Sequence, residues 1–346
     1  MTTEPVVDPA IGAATDRLRE SISALTSGRE RRLALQMVAS MADLVERHPA
    51  TIDLKITAAT IDEMADAFAM FGPYRDTPKV TIFGSARTQP DDPLYKQARD
   101  VAAHMAHAGW MVITGAGPGI MQAAMEGAGR AQSIGVSIRL PFEQGANPVI
   151  AGDEKYVSMK YFFTRKLMLI KESRGFICLP GGFGTLDETF ELLTLTQTGK
   201  GLPAPIVFLD TPGDPYWESV QTLIDTQLVR RGLVAPADTK LFLVTDDCEV
   251  AASEVLRFYA NYDSLRYVGD LLVIRTRWEA TDEQLAELND RYGHLCKTGG
   301  IGRVAPLEPE RKEADRLDLH RLGLVFAKHG YGELRALIDT LNSFAA

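Results

Sequence analysis

The chain has 346 residues, of which 45% are apolar and 24% charged, a composition typical of a globular protein. Its net charge of −9 argues against the broad basic surface that a nucleic-acid binder needs to neutralise phosphates. No apolar run approaches the ~20 residues that span a bilayer, and residues 1–16 lack the basic and apolar regions of a secretory signal. The three cysteines fit neither a disulfide framework nor zinc spacing, so we expect a cytoplasmic protein without a metal site. From the charge and the apolar runs we expect no nucleic-acid partner and no membrane partner.

The N-terminal part, residues 1–76, is predicted to be a short disordered lead-in followed by helices. Leu33, Met37 and Met41 recur at helical spacing and form a methionine-rich apolar stripe. Such a stripe is typical of a packing face, either against the main domain or against a partner subunit. We therefore expect a homo-oligomer, at least a dimer.

Residues 77–262 alternate between short apolar runs and helical patterns. The six apolar runs are KVTIFGS, WMVITGA, IGVSIRLP, GFICLP, PIVFLD and LFLVT. Strands that are buried on both faces have this composition, and their alternation with helices predicts right-handed crossovers. The fold class predicted for this region is α/β, a doubly wound, Rossmann-like parallel sheet.

The C-terminal part, residues 263–346, has a different pattern. LLVIRT, GIGRVAPL and HRLGLVFA are predicted strands, and DEQLAELNDRYGHL and GELRALIDTLNSF are predicted helices. The order strand, helix, strand, strand, helix predicts a small α+β unit with a charged loop, PERKEADRLD.

Two glycine-rich turns, each opening a predicted helix, and one further short turn follow the predicted strands. In an open parallel sheet, ligands bind beyond the carboxyl ends of the strands, and main-chain N–H groups at a helix N-terminus can hold an anion without side-chain charge. The turns are GSAR, GAGPGIM and PGGFGTLDE, and a purely structural alternative is that their glycines only permit tight turns. The candidate phosphate-binding residues in them are Gly84, Ser85, Gly115, Gly117, Gly119, Gly181, Gly182, Gly184 and Thr185.

The turn GAGPGIM fits neither common nucleotide fingerprint. Ile120 occupies the position of the third glycine of G-x-G-x-x-G, and the next strand lacks the acidic residue that holds an NAD ribose. The turn also lacks the Lys-Ser/Thr pair of a P-loop. A hydride-transfer enzyme and an NTPase are therefore poor interpretations.

Two further features each allow a structural and a functional interpretation. Thr185 and Glu188 have the spacing of a capping box, with Thr185 as N-cap and Glu188 reaching back to it. Arg165 and Lys166 lie in a basic helical segment and diverge by about 100° around the helix axis. One of the two can enter the cleft, although a solvated surface charge is the alternative for Arg165.

Together, these motifs resemble the LOG family of phosphoribohydrolases, whose members are often labelled lysine decarboxylases. PGGFGTLDE at 180–188 matches every fixed position of the family motif PGG-x-GT-x-x-E, and the pair Arg165-Lys166 stands where the family has its Arg-Lys pair. GAGPGIMQAAMEGA resembles the family's second phosphate-side motif. The residues YFFT before the pair differ from the short cytokinin-activating members, and the two terminal regions indicate a longer branch of the family.

The resemblance implies hydrolysis of the N-glycosidic bond of a nucleoside 5′-monophosphate to free base and ribose 5-phosphate, without a cofactor. It implies catalytic roles for Arg165 and Glu188, with Lys166 and the glycine turns binding the substrate and its phosphate. The alternative on the same fold is a non-catalytic nucleotide sensor or a carrier of a phosphate-bearing cofactor such as molybdopterin.

Overall fold

The computed structural model describes residues 9–25, 28–140 and 145–344. The chain divides into two units, Met1–Met64 and Ala65–Ala346. The N-terminal helices are α1 (Pro9–Leu25), α2 (Gly28–Glu46) and α3 (Thr51–Phe71). Residues 1–8 of the predicted disordered lead-in lie outside the described residues, and from Pro9 onward the expected disorder is wrong because the chain is helical. Within the described ranges, no helix is both long enough and apolar enough to cross a membrane.

Seven parallel strands form the main sheet, in the order β4-β3-β2-β1-β5-β6-β7. They are β1 (Lys79–Phe83), β2 (Met111–Thr114), β3 (Ser133–Ile138), β4 (Tyr156–Met159), β5 (Gly175–Cys178), β6 (Ile206–Leu209) and β7 (Phe242–Thr245). The connecting helices are α4 (Pro93–His107), α5 (Ile120–Gln132), α6 (Phe162–Lys171), α7 (Phe183–Gln197), α8 (Tyr216–Leu223) and α9 (Cys248–Arg257). The predicted doubly wound α/β class is confirmed.

The strand order creates a topological switch point. The first strand, β1, lies in the middle of the sheet, and β2, β3 and β4 follow one another towards one edge. The next strand, β5, pairs with the other side of β1. The connections on either side of β1 diverge, which leaves a crevice at the carboxyl ends of β1 and β5. The turns after these two strands are GSAR and PGGFGT, two of the predicted ligand-binding turns.

The sequence pattern missed strand β4, because YVSM is short and half polar. Its Tyr156 and Ser158 are only partly buried, whereas Val157 and Met159 are buried, as expected for the edge of the sheet. The central strands β1, β2, β5 and β6 are buried at every position, and Val80, Val112 and Val207 pack in one apolar core. Fully buried strands form continuous apolar runs, which explains why those strands could be predicted.

The C-terminal part contains a second sheet, which is antiparallel and has the strand order β10-β11-β9-β8. Its elements are β8 (Tyr262–Val268), β9 (Leu271–Thr276), α10 (Asp282–Tyr292), β10 (Cys296–Arg303), α11 (Glu308–Glu313), β11 (His320–Phe326) and α12 (Tyr331–Ser343). The pattern missed β8 because the adjacent polar residues Asp263 and Ser264 interrupt the alternation of YDSLRYV. The predicted charged loop contains the short helix α11, whose Glu310 is buried.

Candidate functional site

A cavity of about 940 Å³ lies at the switch point of the parallel sheet. The turns after β1, β2 and β5 form its wall, together with the first residues of α6 and α7. It brings together most of the residues that the sequence singled out: Gly84, Ser85, Gly115, Gly117, Arg165, Gly181, Gly182, Gly184, Thr185 and Glu188. Two of the candidates, Gly119 and Lys166, are not among the lining residues.

Helix α7 begins directly beneath this cavity. Its N-cap is Gly182, with no side-chain capping bond, and Phe183 is its first residue. The capping-box interpretation is therefore wrong, since Thr185 already lies inside the helix and Glu188 is a full turn further on. The first N–H groups of α7 have no partner within the helix, so this end carries the positive end of the helix dipole beside the cavity.

Glu188 is buried at 6% exposure and reaches the cavity from the second turn of α7. Its Oε1 lies 3.5 Å from Nη1 of Arg165. Its Oε2 is buried and has no hydrogen-bond partner among the described residues. Burial raises the pKa of this carboxyl above its ordinary value of 4.5, against the opposing effect of Arg165 and Lys166. A buried carboxylate oxygen without a partner is costly, so it marks a position where a ligand can supply the missing donor.

Arg165 lies on α6 and enters the cavity from the opposite wall. Its Nε donates a hydrogen bond of 3.2 Å to the carbonyl of Val136, which fixes the direction of the guanidinium. The close approach depends on Gly115, where a Cβ atom would lie 2.5 Å from Nη2 of Arg165. The glycine in the turn after β2 therefore makes room for the guanidinium, a role beyond the flexibility of a tight turn.

Lys166, the next residue on α6, points elsewhere. Its Nζ forms ion pairs of 2.7 Å with both Asp187 and Glu191 on α7. The structure thus separates the Arg-Lys pair as the helical geometry predicted. Lys166 joins α6 to α7 through two carboxylates, and the predicted phosphate contact of its side chain stays a prediction.

Gly119 has a packing role at the start of α5. Its φ of +66° is in the left-handed region, and a Cβ atom there would lie 2.4 Å from the carbonyl oxygen of Ser85. The next amide, that of Ile120, donates a hydrogen bond of 3.0 Å to the same carbonyl. Gly119 therefore lets α5 begin against the turn after β1, which holds that turn in place.

The sequence analysis missed Tyr216, at the start of α8. Its hydroxyl donates a hydrogen bond of 2.7 Å to the carbonyl of Gly181, and its ring lines the cavity. Asp210, at the end of β6, accepts a 3.0 Å hydrogen bond from the amide of Trp217 and so fixes the start of the same helix. Burial raises the pKa of Asp210 to about 6. An acidic residue directly after a buried strand was the available signal for this support of the glycine turn.

The far end of the cavity is lined by residues from β3 and β4. Ser137 and Tyr156 share a hydroxyl–hydroxyl hydrogen bond of 2.7 Å, and Ser158 and Met121 lie on the same wall. This end combines apolar surface with hydroxyl groups. Two of these residues belong to the strand that the sequence pattern missed, so their place in the site could not be predicted.

The fold and the cavity together define a doubly wound α/β protein with a cavity at the carboxyl edge of its parallel sheet. The family model described as "Possible lysine decarboxylase" matches residues 119–255, which include Arg165 and Glu188. The "Cytokinin riboside 5'-monophosphate phosphoribohydrolase LOG5" of Arabidopsis thaliana is 30% identical over 115 residues. The "Probable cytokinin riboside 5'-monophosphate phosphoribohydrolase LOG6" of the same organism is 33% identical over 118 residues. The resemblance to the LOG family predicted from the motifs is therefore confirmed.

These matches cover part of each protein. They span 33% and 34% of this chain, and 46% and 55% of the two relatives, so the chain spans about half the length of the curated relatives that it matches. Among solved structures, the molybdenum cofactor carrier protein of Chlamydomonas reinhardtii is 20% identical, with a TM-score of 0.37, over 52% of this chain and 97% of its own. The DNA processing protein A of Helicobacter pylori is 19% identical, with a TM-score of 0.37, over 53% and 82% of the two chains.

Proposed function

We propose that this protein hydrolyses the N-glycosidic bond of a nucleoside 5′-monophosphate, giving free base and ribose 5-phosphate. The observation that carries the proposal is the buried Oε2 of Glu188, which has no partner among the described residues and lies in a cavity opposite Arg165. The names of the relatives support the same reaction class.

The 5′-phosphate is held at the N-terminus of α7. The N–H groups of the turn Gly182–Thr185 and the dipole of a helix of 15 residues favour an anion there. Glycine at 181, 182 and 184 keeps side chains away from the bound oxygens. This geometry explains how a chain with a net charge of −9 can still take a phosphorylated substrate.

Glu188 then lies beside the sugar. Breaking the C1′–N bond places positive charge on the ribose ring, and a carboxylate near C1′ stabilises that charge and orients a ribose hydroxyl or the attacking water. The missing donor of Oε2 is supplied by that hydroxyl or water. The water adds its oxygen to C1′, and its proton leaves with the base.

Arg165 assists the departure of the base. Its Nη1 lies 3.5 Å from Oε1 of Glu188, and an arginine side chain keeps its positive charge throughout the physiological pH range. A fixed donor of this kind stabilises the negative charge that develops on the leaving base. Its hydrogen bond to the Val136 carbonyl sets its direction before the substrate arrives.

Turnover of AMP, GMP, CMP, UMP and one cytokinin riboside monophosphate, followed by chromatography of the released base, tests the proposal. We expect release of base by the wild type, and loss of release in Glu188→Gln and Arg165→Gln. Glu191→Gln is the matched control, because Glu191 lies one turn further along α7 and pairs with Lys166 outside the cavity. Absence of base release from every nucleotide by the folded wild type would contradict the hydrolase.

Nucleotide binding without turnover, unchanged by Glu188→Gln, would indicate the non-catalytic sensor or carrier instead. The two outcomes are separated by calorimetry of the wild type and the Gln variant with the same nucleotides. A sensor needs no carboxylate beside C1′, whereas the hydrolase depends on it.

The protein acts in the cytoplasm as a homo-oligomer. Helix α2 exposes three large apolar residues, Leu33, Met37 and Met41, at 49%, 61% and 46%. Exposed apolar side chains on one helix are typical of a surface that binds another protein. The three cysteines are free thiols, as suits a reducing compartment. Light scattering during size-exclusion chromatography tests the assembly, and a monomer at micromolar concentration would contradict it.

A further inference from the structure

Arg87 is a cationic residue on the cavity wall that none of the family motifs includes. It lies in the turn after β1 and lines the cavity, and no hydrogen bond or ion pair joins its guanidinium to any described residue. The cations of α6 are already engaged: Arg165 faces Glu188, and Lys166 holds Asp187 and Glu191. The guanidinium of Arg87 is therefore a charge at the cavity that none of the described residues neutralises.

The turn that carries Arg87 is held firmly beside the phosphate end of the cavity. The Ser85 amide donates a hydrogen bond of 3.2 Å to the carbonyl of Pro180, in the strand-to-helix turn before α7. The Ser85 carbonyl accepts from the amide of Ile120, at the start of α5. Both bonds are made by Ser85, so the start of the turn, two residues before Arg87, has a defined position beside the turn that precedes α7.

The Ser85 hydroxyl faces the same space. Its Oγ accepts a hydrogen bond of 3.1 Å from the Arg87 amide, and the Gln89 side chain donates a 3.1 Å bond to the Arg87 carbonyl. Since Oγ accepts from the chain, its own O–H remains able to donate to a ligand in the cavity. The turn therefore presents a guanidinium and a hydroxyl, both donors, to one region.

The charges in the cavity explain why such donors are needed there. Asp187 and Glu188 both line the cavity from α7, and their charges oppose the binding of a dianion at the N-terminus of the same helix. Arg139, the remaining cationic residue on the wall, follows β3, which is separated from β5 by β2 and β1. Three strand spacings amount to about 14 Å, too far for the same phosphate. Arg87 follows β1, the direct neighbour of β5.

We propose that Arg87, with the Ser85 hydroxyl, binds the 5′-phosphate of the substrate and so selects phosphorylated ribosides over unphosphorylated nucleosides. This inference rests on the proposed function for the identity of the substrate. The main-chain amides of α7 hold one side of the phosphate group, and the guanidinium of Arg87 holds the other. A guanidinium suits this task because its donors match phosphate oxygens in pairs.

The test compares Arg87→Gln with Arg231→Gln. Arg231 is exposed and does not line the cavity, so the control makes the same charge change away from the site. With the nucleotide that the wild type hydrolyses fastest, we expect Arg87→Gln to raise KM about 10- to 100-fold, the range for a lost hydrogen bond to a charged group. kcat should stay within about threefold, because the phosphate contact is the same in the ground and transition states. Arg231→Gln should change neither constant.

The corresponding nucleoside provides the second arm. The weak hydrolysis of adenosine, guanosine, cytidine or uridine should be equal in the wild type and in Arg87→Gln, since no phosphate is present. The phosphate monoester gains its second charge near pH 6, so the wild-type KM should fall as the pH rises through that value, and the variant should show a weaker fall. An unchanged KM in Arg87→Gln, or equal losses for nucleotide and nucleoside, would overturn the assignment.

Calorimetry with ribose 5-phosphate separates this inference from the proposed reaction. If no nucleotide is hydrolysed, binding of ribose 5-phosphate to the full-length wild type, weakened at least about tenfold by Arg87→Gln and not by Arg231→Gln, still supports the phosphate contact. No binding by the wild type, or equal binding by all three proteins, refutes it.

Discussion

Two buried arginine–glutamate clusters in this protein use the same side chains for different purposes. In the C-terminal sheet, Glu310 is fully buried and its Oε1 accepts hydrogen bonds of 2.6 and 3.0 Å from Arg275 and one of 3.2 Å from Arg321. Its Oε2 accepts from the Leu307 amide at 3.0 Å. In the cavity, Glu188 has one arginine at 3.5 Å and an oxygen without a partner among the described residues.

The pKa shifts of the two carboxyls have opposite directions. At Glu310, burial opposes ionisation, but the Leu307 amide and the two arginines outweigh it and lower the pKa below 4.5. At Glu188, burial dominates and raises the pKa above 4.5. A buried ion pair whose donors are complete stabilises one conformation, whereas an incomplete one leaves a group available to a ligand. The difference favours Glu188, and not Glu310, as the carboxyl that meets a ligand.

The largest effect is expected from removing the charge of Glu188. Glu188→Gln should lower kcat by about 10²- to 10⁴-fold, the range for a positioned acid–base group. Because α7 is capped at Gly182 and not by this side chain, the melting temperature should change by no more than about 2–4 °C. Steady-state kinetics and thermal melting check both parts. A parallel loss of rate and of stability would show that Glu188 is structural, like Glu310.

The reverse pattern is expected at Glu310. Glu310→Gln removes the counter-charge of the buried Arg321 and leaves Arg275 with Asp315 alone, which should cost about 3–5 kcal/mol of unfolding free energy. Activity per folded molecule should be preserved, since this cluster lies in the C-terminal sheet and does not line the cavity. Urea unfolding monitored by circular dichroism measures the loss. A stable variant with impaired kcat would reverse the assignment of roles.

Asp210 should show how burial makes stability depend on pH. Its folded pKa is about 6, above the ordinary value of 3.8, so its contribution to stability is complete below pH 3.8 and is lost as the pH rises through about 6. Asp210→Asn can still accept from the Trp217 amide and should be more stable than the wild type at pH 7.5, by about 1–3 kcal/mol. At pH 4 the difference should vanish. Unfolding curves at both pH values test the sign.

The pH dependence of the two glutamates sharpens the comparison further. Glu188 contributes stability below pH 4.5 that is lost as the pH rises through its raised pKa, whereas the contribution of Glu310 is lost as the pH falls through its lowered pKa. The acid limb of kcat/KM should therefore lie above pH 4.5, because the carboxylate form is the active one. Profiles of rate and melting temperature from pH 4 to 8 measure both. An acid limb below pH 4.5 would contradict the role of Glu188.

The smallest effect is expected at Tyr216. Tyr216→Phe removes the hydrogen bond to the Gly181 carbonyl but keeps the ring on the cavity wall. The loss should be about 0.5–1.5 kcal/mol of stability, with a modest rise in KM for the nucleotide, because the turn that holds the phosphate loses one support. Tyr74→Phe, whose hydroxyl bonds Glu154 outside the cavity, is the control. Equal changes of stability and KM in Tyr216→Phe and Tyr74→Phe would show that Tyr216 has no specific role at the cavity.

The predicted and the missed residues differ in a physical way. Arg165 and Glu188 could be singled out because a helical basic pair and a glycine-rich turn are local in sequence and resemble the family motifs, whereas the side that each residue faces was left open. Tyr216, Ser137 and Tyr156 were not, since each comes from a separate connection and reaches the cavity only through strand order. The capping box was a false local signal, because the helix begins three residues earlier, at the glycine turn.

The sequence by itself determined the alternating strands and helices, the two glycine turns and the placement of an arginine and a glutamate near them. These features depend on hydrophobic periodicity and on local backbone geometry. Only the tertiary structure decided that β5 pairs with β1, which brings residues 84–87 and 180–188 to one cavity. It also decided that Lys166 is held by two carboxylates, whereas Arg87 and one oxygen of Glu188 have no partner among the described residues. The physical reason is that partnership depends on distances across the fold, which no spacing along the chain encodes.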